Sequence, residues 1–446
     1  MTYNFTKLFC LFLGGAILLV AIGCHKHNDV VAVPTITPPS NGGKDTITLG
    51  STITLSAATS ATLGATYTWT VNGTGASSDS TFAFTPTARG DYAIVYAVSN
   101  SGGTTQQDFS VHVYGQYENG FFIANEGSYG SGSGTLSFFR YDTQKLEDSV
   151  YTKVNPGADL GPNTSEMEFG TVYNNKVYLL TKSGGPLVQA DAYSLKETGR
   201  IATSAANDFR ALLPIDTTKA LVSTGNGVYP LNLQTVTLGA AIPAVTDEVQ
   251  DMVSAGNYIF VLSANDGLDI LNASDYSLKK TIPGMQVGFA KAMDGSIWAA
   301  GGANDSMLVR IDPSTLDTTN VALPFEVEST FGFWHAGSIT ASTKENSIYL
   351  GYNTAYTGAT TIYKYVIGTP SSVNTPFINI ASGKETYGAG IAYNPGKDQL
   401  VITTVQSGYG ANYDVNDLDF YSPANGALIT DQGYTGYYFP AIPFFH

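Results

Sequence analysis

The sequence contains few cysteines and few histidines. Cys10 and Cys24 are the two cysteines among 446 residues, and both lie near the N-terminus. They cannot form a disulfide within the domains further along the chain. Their number also excludes a structural zinc site or an iron–sulfur cluster built on cysteines. The five histidines are too scattered along the chain to indicate a three-histidine metal site.

Positive charge is also scarce. The chain has 21 Lys+Arg against 36 Asp+Glu, which gives a formal net charge of −15, and it contains no basic run. Binding to nucleic acid depends on clustered Lys and Arg side chains. The charge balance therefore argues against nucleic acid as a partner.

Hydrophobic residues and glycine are plentiful instead. The chain is 43% hydrophobic and has 48 glycines and 28 tyrosines, a balance typical of a β-rich globular protein. Its length predicts two domains, the larger of which can bury about three quarters of its unfolded surface without disulfides. No motif indicates a cofactor, since the glycine-rich stretch 127–134 lacks the following Lys-Ser/Thr of a phosphate-binding loop.

Residues 1–23 have the pattern of a secretory signal peptide. Lys7 precedes an apolar run over residues 8–22, which is too short for a comfortable membrane span. The run ends at Cys24, and the residues before it resemble a bacterial lipobox in which Ala21 stands where Leu is usual. This resemblance implies cleavage before Cys24 and acylation of that cysteine; an ordinary signal peptide with an incidental cysteine is the alternative.

The polar residues after Cys24 resemble the start of surface-exported lipoproteins of Bacteroidetes. The resemblance implies a lipid anchor in the outer membrane with the chain facing the cell exterior, and a plain tether is the alternative. Residues 24–44 are rich in Pro and Gly and show no periodic apolar face, so they predict a lipidated tether and linker.

Residues 45–115 predict a small β-sandwich. Short runs of alternating apolar residues are separated by turn signals such as Asn72-Gly73, and they amount to about six or seven strands. The sequence around Trp69 and Tyr92 resembles a polycystic-kidney-disease-type (PKD) immunoglobulin-like domain. The resemblance implies a spacer or interaction domain in which Trp69 is the core tryptophan.

Residues 116–446 repeat one unit of a short apolar strand, a turn, a second strand, a polar turn and a third strand. Seven units of this length predict a seven-bladed β-propeller. The anchor strands begin Gly120-Phe121, Lys176-Val177, Lys219-Ala220, Asn257-Tyr258, Ser296-Ile297, Ser347-Ile348 and Gln399-Leu400.

Six units are preceded by a further strand of small residues, such as Gly170-Thr171-Val172, which suits a crowded position near a central axis. The first unit lacks this strand, and residues 437–444 are left over after the seventh. Pairing the two closes the ring and leaves no free edge. A β-helix or an open solenoid is the alternative, although neither needs a spare final strand.

The loops before each innermost strand and the turns after each second strand of a propeller share one face, where loops held by a rigid scaffold concentrate function. Aromatic residues in these loops suit a flat polar ligand, such as a sugar or a macrocycle, or a protein loop. Packing of the turns against one another is the alternative. The candidate ligand-binding residues are Asn125, Tyr129, Glu166, Phe169, Phe209, Arg210, Asp251, Phe333, Trp334, His335, Tyr352, Tyr356, Tyr387, Tyr409, Tyr413 and Tyr437.

Catalysis and metal binding have weaker signals. His335 has no second titratable group tied to it by spacing, so we expect no enzyme. Two acidic runs match no EF-hand pattern, and carboxylates in such turns are more often simply hydrated by solvent. We therefore expect no metal site. The two runs that could hold Ca²⁺ are Asp247, Glu248 and Asp251, and Asp414, Asn416, Asp417 and Asp419.

The propeller region resembles the YncE-like seven-bladed propellers, and more narrowly a family of Bacteroidetes lipoproteins known as a domain of unknown function. The matching phrases are residues 120–127, Asp312-Pro313, residues 421–423 and the tyrosine-rich closing segment. Some relatives capture cobalamin. The resemblance implies a surface protein that captures a small nutrient, with a corrinoid as one candidate, for a TonB-dependent outer-membrane transporter; protein or glycan adhesion is the alternative.

Overall fold

The chain is all-β and divides into two compact units. The first comprises residues up to 45 with Thr52–Thr85 and Asp91–His112, and the second comprises Thr46–Ser51, Pro86–Gly90 and Val113–His446. The computed structural model describes residues 30–327, 337–352, 358–408, 412–437 and 439–446, with the side chain of Glu168 excepted. Among these residues no helix is long and apolar enough to cross a membrane.

The N-terminal strands form three small sheets. A five-stranded sheet has the order β2-β9-β8-β5-β6, and two further pairs are β3-β7 and β1-β4. Trp69 is fully buried and stacks on Tyr96, with 4.3 Å between ring centroids, and it also packs against Phe82 of the β3-β7 pair. The strands are β1 (Thr35–Thr37), β2 (Lys44–Thr48), β3 (Ile53–Leu55), β4 (Ala58–Ser60), β5 (Thr66–Val71), β6 (Thr74–Ser77), β7 (Phe82–Phe84), β8 (Gly90–Asn100) and β9 (Gly103–Tyr114).

The remaining strands form seven four-stranded antiparallel sheets, the blades of a β-propeller. The strands are β10 (Gly120–Asn125), β11 (Thr135–Arg140) and β12 (Lys145–Glu147) in blade 1; β13 (Met167–Tyr173), β14 (Lys176–Thr181), β15 (Leu187–Asp191) and β16 (Glu197–Ile201) in blade 2; β17 (Phe209–Pro214), β18 (Lys219–Thr224), β19 (Gly227–Asn232) and β20 (Thr237–Leu238) in blade 3; and β21 (Val249–Ala255), β22 (Tyr258–Ser263), β23 (Gly267–Asn272) and β24 (Leu278–Ile282) in blade 4. Blade 5 has β25 (Gly288–Lys291), β26 (Ile297–Gly301), β27 (Met307–Ile311) and β28 (Thr318–Ala322); blade 6 has β29 (Ile339–Ala341), β30 (Ser347–Tyr352), β31 (Thr361–Val366) and β32 (Ile378–Asn379); blade 7 has β33 (Lys384–Asn394), β34 (Gln399–Gln406), β35 (Val415–Tyr421) and β36 (Leu428–Thr435); and β37 (Pro440–Phe445) completes blade 1.

Strand β37 closes the ring. It pairs antiparallel with β10 as the innermost strand of blade 1, with Phe122 opposite Phe444 and Ala124 opposite Ile442. Neighbouring innermost strands contact one another all the way round, including β33 with β37 and β37 with β13. The all-β class, the seven blades and the closure by the last strand are therefore confirmed.

Small residues in the innermost strands are explained by crowding at the axis. A Cβ atom on Gly170 of β13 would lie 2.2 Å from the ring of Phe444 in β37. Such a distance is a steric clash, so any side chain at residue 170 would separate blades 1 and 2. The closing strand and its glycine neighbour are thus matched in shape.

The core lies between the blades. Second strands are buried along most of their length, and β10 along all of it, because blades cover both of their faces. Between blades 5 and 6, for example, Trp298 packs with Leu350 and Tyr365. The propeller is therefore held by face-to-face burial of successive sheets.

Some details differ from the sequence-based prediction. Strand β29 begins only at Ile339, and Ala292 and Tyr437 lie just outside their strands. A short helix α1 (Val150–Val154) and two 3₁₀ helices, Ala303–Asp305 and Pro370–Asn374, were not predicted. These elements are too short to carry a 3.6-residue periodicity, so apolar spacing does not reveal them.

Candidate functional site

The site lies at the face of the propeller where the innermost strands begin, which we call the mouth face. Five charged residues occupy strand ends on this face: Glu126, Glu166, Lys182, Arg210 and Glu248, here named the collar. Glu126 and Lys182 directly follow second strands, Glu166 and Glu248 directly precede innermost strands, and Arg210 is the second residue of β17. The alternation of strand direction brings them to a common face.

Blade 2 contributes a buried ion pair to the collar. Lys182 Nζ lies 3.1 Å from Glu166 Oε2, and the two side chains are only 4% and 10% exposed. The Lys182 amide also donates to the Glu166 carbonyl at 2.9 Å. Both residues continue a β-hairpin whose strands β13 and β14 pair up to Met167 and Thr181, so the pair is held by the ladder beneath it.

Arg210 joins blade 3 to blade 4. Its guanidinium lies 3.1 Å from Asp208 Oδ2 and 3.2 Å from Glu248 Oε1, and the side chain is 9% exposed. Strand β17 has a bulge between Phe209 and Leu212, which changes the alternation of side chains at this point. The bulge places Arg210 beside Glu248, the acidic residue that directly precedes the next innermost strand.

Glu126 links blade 1 to blade 7 and to blade 2. The Tyr387 hydroxyl of β33 donates to Glu126 Oε2 at 2.8 Å. The Glu126 amide donates to the Phe439 carbonyl at 2.9 Å, and the Glu126 carbonyl accepts from Met167 at 3.1 Å. Glu126 is fully buried, so its carboxylate is a fixed part of the mouth.

Aromatic rings lie beside this carboxylate. Tyr387 stacks on Phe439 with 4.3 Å between centroids, and Tyr413 meets Phe439 edge-on at 4.9 Å. Such stacked rings present rigid surfaces with polar tips. The mouth therefore combines buried charges of blades 1 to 3 and the half-buried Glu248 of blade 4 with an aromatic group at blades 7 and 1.

Several predicted site residues belong to this arrangement, and others have different surroundings. Glu166, Arg210, Tyr387 and Tyr413 lie at the mouth face as described above. Phe209 is 2% exposed and belongs to the core between blades 2 and 3, and Phe169 packs against the same core. We therefore leave both of these side chains out of the mouth.

The remaining predicted residues are more scattered. Asn125 is buried, and its amide donates to Ser137 and Thr135. Tyr129 is 67% exposed, Asp251 is half-buried in β21, and Tyr352 meets the Phe325 ring edge-on. Cys24, Phe333, Trp334, His335, Tyr356 and Tyr409 lie outside the described residues.

Tyr437 contacts the outer part of blade 1. Its hydroxyl donates to Asp148, and burial together with this carboxylate raises the pKa of the phenol. Residue 437 also offers its carbonyl to the Asn416 amide at 2.6 Å. These contacts anchor the segment that leads into β37.

Two features, one at the mouth and one elsewhere in the propeller, have little signal in the sequence. Lys182 follows an anchor strand directly, so its place at the mouth face could be inferred, but its pairing with Glu166 could not. Asp431 forms a cluster with Asp417 and Asp419 in blade 7, although it is twelve positions away from Asp419 in the sequence. Only the register of β35 and β36 brings these carboxylates together.

The fold and the mouth define the class of the molecule as a seven-bladed β-propeller with a polar mouth. The chain belongs to the family described as domain of unknown function DUF5074, which matches residues 119–446. No curated protein matches the chain in sequence.

Two solved structures show the same fold. One is described as a quinonprotein alcohol dehydrogenase-like protein from Bacteroides thetaiotaomicron, with 19% identity, a TM-score of 0.59, and coverage of 92% of this chain and 99% of that one. The other, a protein from Lactobacillus plantarum, has 11% identity, a TM-score of 0.52, and coverage of 72% of this chain and 97% of that one. At these identities the likeness concerns the fold alone.

Proposed function

We propose that the propeller is a non-enzymatic binding module that captures a small polar ligand at its mouth face. The observation that carries this proposal is the convergence of charged residues from blades 1 to 4 at the ends of innermost and second strands, with those of blades 1 to 3 buried and Glu248 of blade 4 half-buried. A rigid ring of strands holds these groups in fixed positions. Preorganised polar groups bind a ligand at low entropic cost.

The pairing of the mouth residues favours binding over catalysis. Among the described residues, Glu166 is held by Lys182, Arg210 by Asp208 and Glu248, and Glu126 by Tyr387. A general acid and base need protons that can be exchanged with a substrate. Side chains already engaged in ion pairs are better suited to fixing the orientation of a ligand.

The ligand class that we propose is a flat polar molecule, with a corrinoid as the first candidate. The stacked Tyr387 and Phe439 rings provide an aromatic surface next to the Glu126 carboxylate. Such a combination suits a macrocycle or a sugar ring. The corrinoid itself rests on the resemblance to cobalamin-capturing lipoproteins.

We also propose a location and a partner. Acylation at Cys24 would anchor the chain in the outer membrane facing the exterior, and the captured ligand would pass to a TonB-dependent transporter. Replacing Cys24 by Ala should move the protein from the membrane fraction to the soluble fraction and abolish labelling by a palmitate analogue. Unchanged labelling would contradict a lipid anchor at this residue.

Equilibrium binding tests the ligand site. The purified protein is titrated with cyanocobalamin and with a glycan panel, and Arg210→Gln is compared with Arg310→Gln. Arg310 lies on the opposite face, where it pairs with Asp294 and Asp312, so it is a matched control. We expect a loss of affinity on the order of 10-fold for Arg210→Gln only, because a charged hydrogen bond is removed.

A milder pair of variants guards against misfolding. Tyr387→Phe removes the hydroxyl that reaches Glu126, while Tyr276→Phe removes a hydroxyl from a turn on the opposite face. Equal affinities for all four variants and the parent protein would contradict a ligand at the mouth. Binding of glycans alone would replace capture of a corrinoid by glycan adhesion.

A further inference from the structure

Blade 7 contains a group of acidic side chains that the proposed ligand site does not use. Asp417 and Asp419 are two apart in β35 and therefore share one face of the sheet. Asp431 of β36 lies directly opposite Asp419. One carboxylate oxygen from each of the three residues lies within 4.8 Å of the other two.

Two buried oxygen atoms at this group have no hydrogen-bond partner. Asp419 is 2% exposed, and its Oδ1 atom accepts no hydrogen bond. Thr404 is fully buried, and its Oγ1 atom likewise has no hydrogen-bond partner. Thr404 lies directly opposite Asp417 in β34, so its side chain points to the same face as the carboxylates. Buried polar atoms in native proteins are normally satisfied, and these two indicate a missing partner.

The charges near the group do not balance. Lys384 is the cation that the structure places here, with its Nζ 3.1 Å from Asp417 Oδ2 and 3.9 Å from Asp419 Oδ1. Asp431 completes the group, so one ammonium stands beside three carboxyl groups, of which Asp419 is the buried one.

Space beside the carboxylates is kept by a glycine. Gly433 lies opposite Asp417 in β36, and a Cβ atom there would lie 3.2 Å from Asp417 Oδ1. A larger side chain would press on this carboxylate. The sheet thus leaves room on the side of Asp417 that faces away from Thr404.

We propose that Asp417, Asp419, Asp431 and Thr404 form a binding site for a calcium ion in blade 7. Carboxylate and neutral oxygen atoms are the ligands that Ca²⁺ prefers, and the ion accepts irregular coordination with water molecules completing its shell. A divalent ion neutralises the excess charge and joins strands β34, β35 and β36. On binding, it displaces the Lys384 ammonium from the carboxylates.

Calorimetric titration with CaCl₂ of the chelator-treated protein tests this site. We expect one site per chain, a higher melting temperature with Ca²⁺, and a loss of affinity of at least about 10-fold in Asp419→Asn and Asp431→Asn. Asp312→Asn is the matched control, because Asp312 is a turn carboxylate in blade 5 that accepts from the Ser314 amide; we expect no change in it. Absence of Ca²⁺ binding by the parent protein, or binding by Asp419→Asn and Asp431→Asn that is as tight as that of the parent protein, would overturn the proposal.

Lys384→Gln separates an ion site from a purely structural ion pair. If Ca²⁺ competes with the ammonium, removing the ammonium should strengthen Ca²⁺ binding several-fold. If Lys384 is the intended partner of the carboxylates, the variant should lose stability and gain no affinity for Ca²⁺. The second result, or preference for Mg²⁺ over Ca²⁺ in the parent protein, would overturn the assignment to calcium.

Discussion

His446 illustrates how single residues secure the ring. It follows β37, its Nε2 atom hydrogen-bonds with the Tyr117 carbonyl at 2.6 Å, and its ring stacks on Tyr193. Its ring centroid also lies 5.5 Å from that of Phe122. These contacts fix the end of the closing strand against blades 1 and 2.

Protonation of His446 should weaken the fold. Burial lowers the pKa of His446 below its ordinary value of 6.5, so the unfolded chain binds the proton more readily than the folded chain. The stability contributed by the neutral imidazole is complete above the unfolded-state value and is lost as pH falls through the lower folded-state value. Between a pH of about 8 and a pH of about 5, we expect the melting temperature of the parent protein to fall further than that of His446→Gln. Parallel losses in the two proteins would contradict this role.

At the scale of elements, bulges shape the mouth. Register shifts occur near the mouth-face ends of five innermost strands, namely β13, β17, β21, β33 and β37. A bulge turns a side chain away from strict alternation and increases the local twist. Charged residues such as Arg210 can therefore lie at the mouth while the rest of the strand packs in the core.

A buried hydroxyl supports the bulge in β17. Ser223 of β18 accepts from the Ala211 amide at 2.9 Å and donates to the Gln250 carbonyl of β21 at 2.7 Å. Ser223→Ala should lower the free energy of unfolding by about 1–3 kcal/mol, because it leaves buried backbone groups without their partner. Denaturant unfolding measures this, with Ser314→Ala in an exposed turn as the control. An equal effect of the two substitutions would contradict a bridging role for Ser223.

The elements were more predictable than the contacts between them. Runs such as Lys176-Val177-Tyr178-Leu179 carry the apolar signal of a buried strand, and all seven anchor strands were found where this signal predicts them. The bulges were not predictable, because they depend on how neighbouring blades pack. The pairing of Arg210 with Glu248, which directly precedes the first strand of the next blade, follows from such a bulge and has no sequence signal of its own.

At the scale of the whole molecule, closure of the ring creates the mouth. Closure could be predicted because the first unit lacks an innermost strand and the chain has a spare strand at its end. Pairing the two leaves neither with an unpaired edge. The ligand was not predictable in this way, because loops vary while the scaffold is kept. Glu126 connects the closing segment with the mouth. Its amide donates to the Phe439 carbonyl just before β37, and its carboxylate accepts from the Tyr387 hydroxyl.

Closure is tested most directly by a disulfide between β10 and β37. Ala124 lies opposite Ile442, and paired strand positions have the Cα separation that a disulfide needs. In a chain with Cys10 and Cys24 replaced by Ser, the double variant Ala124→Cys/Ile442→Cys should form the bond on air oxidation and melt at a higher temperature than its reduced form. Two thiols that stay reduced and react with a thiol reagent in the native protein would contradict the closed propeller and the mouth that depends on it.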